Sequence, residues 1–239
     1  MLTPEELESR DVRVSARVRD LDGDGIADLV LDKIGGGVTT LRTEMRLYRG
    51  RPGGGFSDKA VQTFKDDGFA ALSDFVDVDG DGALEMIHPH SEVSIMSISS
   101  AMLSRTLDLE VRIREPAAKP LFFTPKPVQV LETSYGLDLS VGAAIRGSAP
   151  LFGHDFTKDG VPDVLVSDGG EGFALHEGKR GARQPFDEDP KERVKVSGSN
   201  TTLLIPVRPG SDAVDVLVYY VARKSLAGRM YVFSVSGGS

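Results

Sequence analysis

The chain has 239 residues, of which 40% are hydrophobic, enough to bury a core, so wholesale disorder is excluded. It carries 28 Lys and Arg against 36 Asp and Glu, a formal charge of −8, and that acidic balance with no basic cluster argues against an extended nucleic-acid footprint. There is no cysteine, which rules out disulfides, thiolate zinc sites, iron–sulfur clusters and cysteine nucleophiles.

Residues 1–20 have no signal-like apolar run, and nothing later approaches 18 consecutive apolar residues, so no membrane span is expected. Val12, Val14, Ala16 and Val18 then alternate with the two-residue period of a half-buried strand. An acidic turn follows, Asp20-Leu-Asp-Gly-Asp-Gly-Ile-Ala-Asp28, leading into the apolar run Leu29-Val30-Leu31. Gly35-Gly36-Gly37 and Gly53-Gly54-Gly55 read as loops. The turn recurs as Asp77-Val-Asp-Gly-Asp-Gly-Ala-Leu-Glu85, again before an apolar pair, Met86-Ile87. Ser91–Arg105 mixes both periodicities and reads as an insertion with one short helix, after which Leu107, Leu109, Val111 and Ile113 alternate as a strand. A third copy, Asp155-Phe-Thr-Lys-Asp-Gly-Val-Pro-Asp163, precedes Val164-Leu165-Val166. From Glu177 to Lys195 the apolar pattern lapses, as in a long charged surface loop. Asn200-Thr201-Thr202 fits a glycosylation acceptor. A fourth copy survives in outline, Val207 to Asp215 before Val216-Leu217-Val218, with Pro209 and Ser211 in place of acids; it should bind nothing.

Copies starting at 20, 77, 155 and 207, between short strands, predict an all-β chain of about four blade-like repeats, roughly 11–66, 67–137, 138–196 and 197–235, in one domain over 1–239. The lengthened second repeat accommodates the insertion at about 91–105.

The pattern D-x-D-G-D-G-x-x-D is a cation cradle. Carboxylates at positions one, three and five turn inward, the carbonyl of position seven adds an oxygen, and the ninth carboxylate can offer two more. The candidate ligands are therefore Asp20, Asp22, Asp24, Ile26 and Asp28; Asp77, Asp79, Asp81, Ala83 and Glu85; and Asp155, Thr157, Asp159, Val161 and Asp163. Two carboxylates about 4 Å apart repel by about 4 kcal/mol at an effective dielectric near 20, so such a loop wants a counter-ion. Ca2+ suits flexible oxygen coordination better than Mg2+, and an all-oxygen set disfavours zinc. Thr157 and Lys158 weaken the third loop, giving an expected affinity order of first, second, third, with two to three sites occupied. An EF-hand would need an acid at position twelve, where Leu31, His88 and Val166 stand. Bare Asp/Gly turns remain the bland alternative, weakened by the repetition.

No G-x-S-x-G, P-loop, H-E-x-x-H or G-x-G-x-x-G occurs, and no catalytic residue is singled out. His88 and His90 could contribute to a transition-metal site but are two ligands only, and His154 and His176 read as structural. Tyr135, Tyr219 and Tyr220 are aromatics of the kind that serve sugar or protein contacts or simple rim packing.

At the words GDGIADLVL, GDGALEMI and KDGVPDVLV the sequence resembles the FG-GAP/VCBS repeat family, the calcium-loop β-propellers typified by the integrin α-chain head. Phe152-Gly153 and Gly147-Ser148-Ala149-Pro150 approximate the phrases that named the family. The resemblance implies a β-propeller with calcium on its rim, four repeats suggesting a partial propeller from a longer chain. It implies an extracellular, cell-surface or periplasmic module that binds a protein or glycan ligand in adhesion. The alternatives are part of a secreted carbohydrate-active enzyme and a subunit of a surface assembly joined through open propeller edges.

Overall fold

A computed structural model describes residues 12–36, 41–70, 73–92, 95–138, 144–146, 149–169, 172–196, 202–207, 215–220 and 230–234. The chain is all-β, with one ten-residue helix among the described residues. It divides into two compact units, one of residues 1–75, 83–98 and 110–130 and the other of 76–82, 99–109 and 131–239.

In the first unit, β1 (Val12–Arg19), β2 (Asp28–Gly35), β3 (Arg42–Tyr48) and β4 (Gln62–Asp67) form a four-stranded antiparallel sheet in chain order. Alternation selects the buried face: Asp28, Val30 and Asp32 on β2 lie with Thr43, Met45 and Leu47 on β3 and Gln62 and Phe64 on β4. Next in chain order come β5 (Phe69–Ala70), β6 (Asp74–Val76), β7 (Glu85–Ser91), the helix α1 (Ile95–Ser104) and β8 (Thr106–Arg114), of which Val76, residues 99–104 and residues 106–109 are counted in the second unit. Strand β7 is buried along its whole length and pairs antiparallel with β8, Ile87 opposite Ile113 and Pro89 opposite Val111. Leu21, Val30, Met45, Leu47, Phe64, Phe75, Met86, Phe122 and Phe123 make the core of this unit, with Phe75 stacked on Phe123 at 5.5 Å between ring centroids.

In the second unit, β9 (Gln129–Asp138) pairs with β10 (Ala144–Arg146), and β11 (Leu151–His154), β12 (Asp163–Asp168), β13 (Gly172–His176) and β14 (Glu192–Lys195) run antiparallel in chain order. The near-continuous apolar run of β12 and β13 reflects burial on both faces. A three-stranded sheet holds β15 (Thr202–Val207), β16 (Asp215–Tyr220) and β17 (Met230–Ser234). Phe156, Leu165, Phe173, Leu175, Val196, Val216 and Val218 form the core of this unit.

Two local designs recur. Each of the three described acidic turns joins two paired strands: β1 to β2, β6 to β7 and β11 to β12. The second is a hairpin after the third strand, closed by the bridges Gly50↔Phe56, Pro116↔Phe123 and Gly178↔Phe186. Its frame is the same three times. Ser57, Thr124 and Asp187 donate to the carbonyls of Arg49, Glu115 and Glu177 at 2.8–2.9 Å, and Val61, Val128 and Lys191 donate to those of Leu47, Ile113 and Leu175 at 2.8 Å. Residues 177–195 are thus not one long loop: they hold this hairpin, anchored by fully buried Phe186, and then edge strand β14.

Candidate metal centre

The acidic turns are built to one plan. The first carboxylate accepts from the backbone N–H groups of positions four and six: Asp20 from Gly23 and Gly25 at 2.8 Å, Asp77 from Gly80 at 2.7 Å and Gly82 at 3.0 Å, Asp155 from Lys158 at 2.6 Å and Gly160 at 2.9 Å. Both donors sit in the left-handed region, Gly23 and Gly25 at φ 70 and 81, Gly80 and Gly82 at 77 and 91, Lys158 and Gly160 at 64 and 86. Glycine adopts that conformation freely, so the third loop, with lysine at position four, carries backbone strain that the others lack. Position two is apolar and buried each time, as Leu21, Val78 and Phe156, and pins the turn to the core.

The ninth carboxylate ties the turn to the following hairpin. Asp28 accepts from Leu21 N–H at 3.0 Å and Gly50 N–H at 2.8 Å; Asp163 accepts from Phe156 and Thr157 at 2.8 Å and from Gly178 at 2.9 Å. Burial pushes both carboxyls above the usual range, against the pull of these N–H donors. In the second repeat the place of Gly50 and Gly178 is taken by Pro116, which has no N–H, and the ninth position is the longer Glu85.

Of the expected ligands, Asp20, Asp22 and Asp28 lie with one carboxylate oxygen each within 4.8 Å of the others, and in the second loop Asp77, Asp79 and Glu85 do the same. Asp24 and Asp81 are not in these groups: Asp24 turns back to accept from Ile26 N–H at 2.9 Å, as Asp159 does from Val161 at 2.8 Å. The third loop forms no such group among the described residues, since Thr157 stands where Asp22 and Asp79 stand in the others. The fourth copy falls on residues 208–214, which lie outside the described residues, between the paired Val207 and Asp215.

The donor set of the first loop fits an oxygen-seeking divalent cation. Three carboxylates share one small volume, and Asp22 Oδ1 is buried with no hydrogen-bond partner. Its other oxygen, Oδ2, is bonded by Arg49 Nη1 and lies 3.4 Å from Lys119 Nζ. Burial raises the Asp22 carboxyl, but these two cations outweigh it and hold it below the usual range.

His88 and His90 form no metal group with an acid among the described residues; they belong to a buried polar network. His88 Nδ1 is 2.6 Å from Ser73 Oγ and its Nε2 is 2.9 Å from Asp66 Oδ2, while Arg112 bonds Asp66 Oδ1 at 2.6 Å and His90 Nδ1 at 3.0 Å. The order Ser–His–Asp is that of a nucleophile and its base, but Ser73 and His88 are each 2% exposed, so the network braces β4 against β7 rather than meeting a substrate. The hydrogen bond from His88, opposed by burial and helped by the charges of His88, His90 and Arg112, lowers Asp66 to about 2. His176 Nδ1 lies 2.8 Å from Asp187 O and serves the third hairpin. Tyr135 is half-buried, its hydroxyl pushed up by burial. Asn200 and the side chains of Tyr219 and Tyr220 lie outside the described residues. Among the described residues no helix is long and apolar enough to cross a membrane.

No protein-family model, curated protein or solved structure matches the chain.

Proposed function

We propose that the chain is a calcium-binding β-propeller-type module of an exported protein, in which acidic turns hold Ca2+ structurally and the rigid surface is offered to a protein or glycan ligand. The observation that carries this is the first loop: three carboxylates drawn together around a turn, one of them with a buried oxygen that nothing in the protein satisfies. Ca2+ would supply the missing partner and cancel the repulsion among the acids. Four antiparallel strands in chain order in each of two sets, both with an acidic turn after the first strand and a Phe-closed hairpin after the third, support the blade reading. Extracellular Ca2+ is millimolar, enough to fill sites of modest affinity, and binding stabilises by mass action.

Calorimetric titration of chelator-stripped protein with Ca2+ tests the reading. At least one site in the millimolar range or tighter and a higher melting temperature are expected. A titration without heat and an unshifted melting curve would falsify it.

A further inference from the structure

We infer that Arg49 is a built-in counter-cation of the first loop, which competes with the metal there and couples metal binding to the hairpin of residues 116–123. The inference rests on the calcium reading above and concerns how that one site is regulated.

Arg49 follows β3 directly, one residue before Gly50, whose N–H is held by Asp28. Its guanidinium faces two ways. Nη1 bonds Asp22 Oδ2 in the acidic turn, Nη2 donates to the Pro120 carbonyl at 3.1 Å, and the group lies over the Phe122 ring at 4.4 Å. Lys119 reaches the same acids from the hairpin, 3.4 Å from Asp22 Oδ2 and 3.9 Å from Asp24 Oδ2. One planar cation thus joins the turn to the hairpin, with a lysine beside it.

Two consequences follow. A divalent ion among Asp20, Asp22 and Asp28 must share Asp22 with a fixed positive charge, and like charges at such separations repel more in a half-buried site than they would in bulk water. The first loop therefore binds metal more weakly than its full complement of aspartates suggests, so carboxylate number alone does not set the affinity order. In addition, when Ca2+ takes Asp22, Arg49 loses its ion pair, and the hairpin loses its tie to the turn. The hairpin keeps its own backbone bonds, the Gln62 bonds to Phe122 and Phe123 and the Arg49 contacts with Pro120 and Phe122, but the guanidinium is no longer anchored on the turn.

The test uses the full chain carrying Asp79→Asn, which silences the second loop. Ca2+ is titrated calorimetrically into this background and into the same background with Arg49→Gln or Lys119→Gln. Lys119 is largely exposed, so that variant keeps the fold even where loss of the Arg49 stacking does not. Arg49→Gln is expected to tighten the site at least tenfold and Lys119→Gln severalfold. Hydrogen exchange at the Ala117 and Thr124 amides, which close the hairpin onto Phe122 and Glu115, is expected to speed up on Ca2+ addition in the parent and not in Arg49→Gln. Ca2+ binding that is unchanged or weaker in both variants overturns the inference while leaving the calcium reading intact. No binding in the parent or either variant overturns both.

Discussion

Gly178→Ala should be among the most costly single-methyl additions in the chain. Gly178 does not sit in the left-handed region, so the effect is one of space: an added Cβ would lie 1.9 Å from the Pro162 carbonyl oxygen and 2.9 Å from Val161 Cγ1. The oxygen is backbone, fixed by the turn that ends at Asp163, and cannot swing aside as a side chain can. Restoring ordinary contact requires a shift of more than an ångström, which breaks the 2.9 Å bond from Gly178 N–H to Asp163 Oδ1. Asp163 is fully buried, so it cannot recover that partner from water. Loss of a hydrogen bond to a buried charge costs about 1.5–3 kcal/mol and overpacking about 1–3 kcal/mol, together about 2.5–6 kcal/mol, a large share of a typical domain's stability. Urea unfolding at neutral pH measures it, with Gly181→Ala as control. Gly181 has φ +62 and open space around its Cβ position, so that change carries only the left-handed penalty of about 1–2 kcal/mol. Equal losses for the two variants would refute the close-approach argument.

Lys158→Gly should stabilise the third turn by about 1 kcal/mol, because Lys158 is exposed and holds φ 64 where its counterparts are glycine; an unchanged urea midpoint would count against strain there. Asp66 has a folded pKa near 2 against 3.8 for the free group, so its stabilisation of about 2 kcal/mol is present above pH 4 and lost as the pH falls through 2. Asp66→Asn should consequently close much of its stability gap to the parent in acid unfolding titrations. Asp22→Ala should abolish Ca2+ binding at the first loop whereas Asp24→Ala should weaken it by less than tenfold, since only the former lies in the carboxylate group; calorimetry ranks them. Phe123→Ala, at a fully buried hairpin anchor, should cost about 3–5 kcal/mol, and the half-buried Phe56→Ala clearly less, as read from unfolding midpoints.

The acidic turns and their strands are legible in the sequence because each is contiguous: acids at fixed spacing, glycines, and then an apolar run describe one turn and one strand without help from elsewhere. The hairpins are not, although they repeat as faithfully. Their common content is one glycine or proline and one closing phenylalanine, with RPGGG, AAKPLF and KRGARQP between, of five, six and seven residues, and so sparse a signal is lost until the shared backbone bonds of Ser57, Thr124 and Asp187 align them. What joins turn to hairpin is further from view. Arg49 meets Asp22 across 27 residues and Gly50 meets Asp28 across 22, and nothing local in either partner announces the other. The same linkage explains a substitution that looks arbitrary in the sequence. Where the hairpin offers an N–H, at Gly50 and Gly178, the ninth acid is an aspartate; where it offers Pro116 instead, the acid is Glu85, one methylene longer and buried to 4% exposure. The ninth position is thus chosen by the hairpin as much as by any cation, and a Pro116→Gly change should make Glu85→Asp better tolerated than it is in the parent, as a double-mutant cycle in urea would read directly.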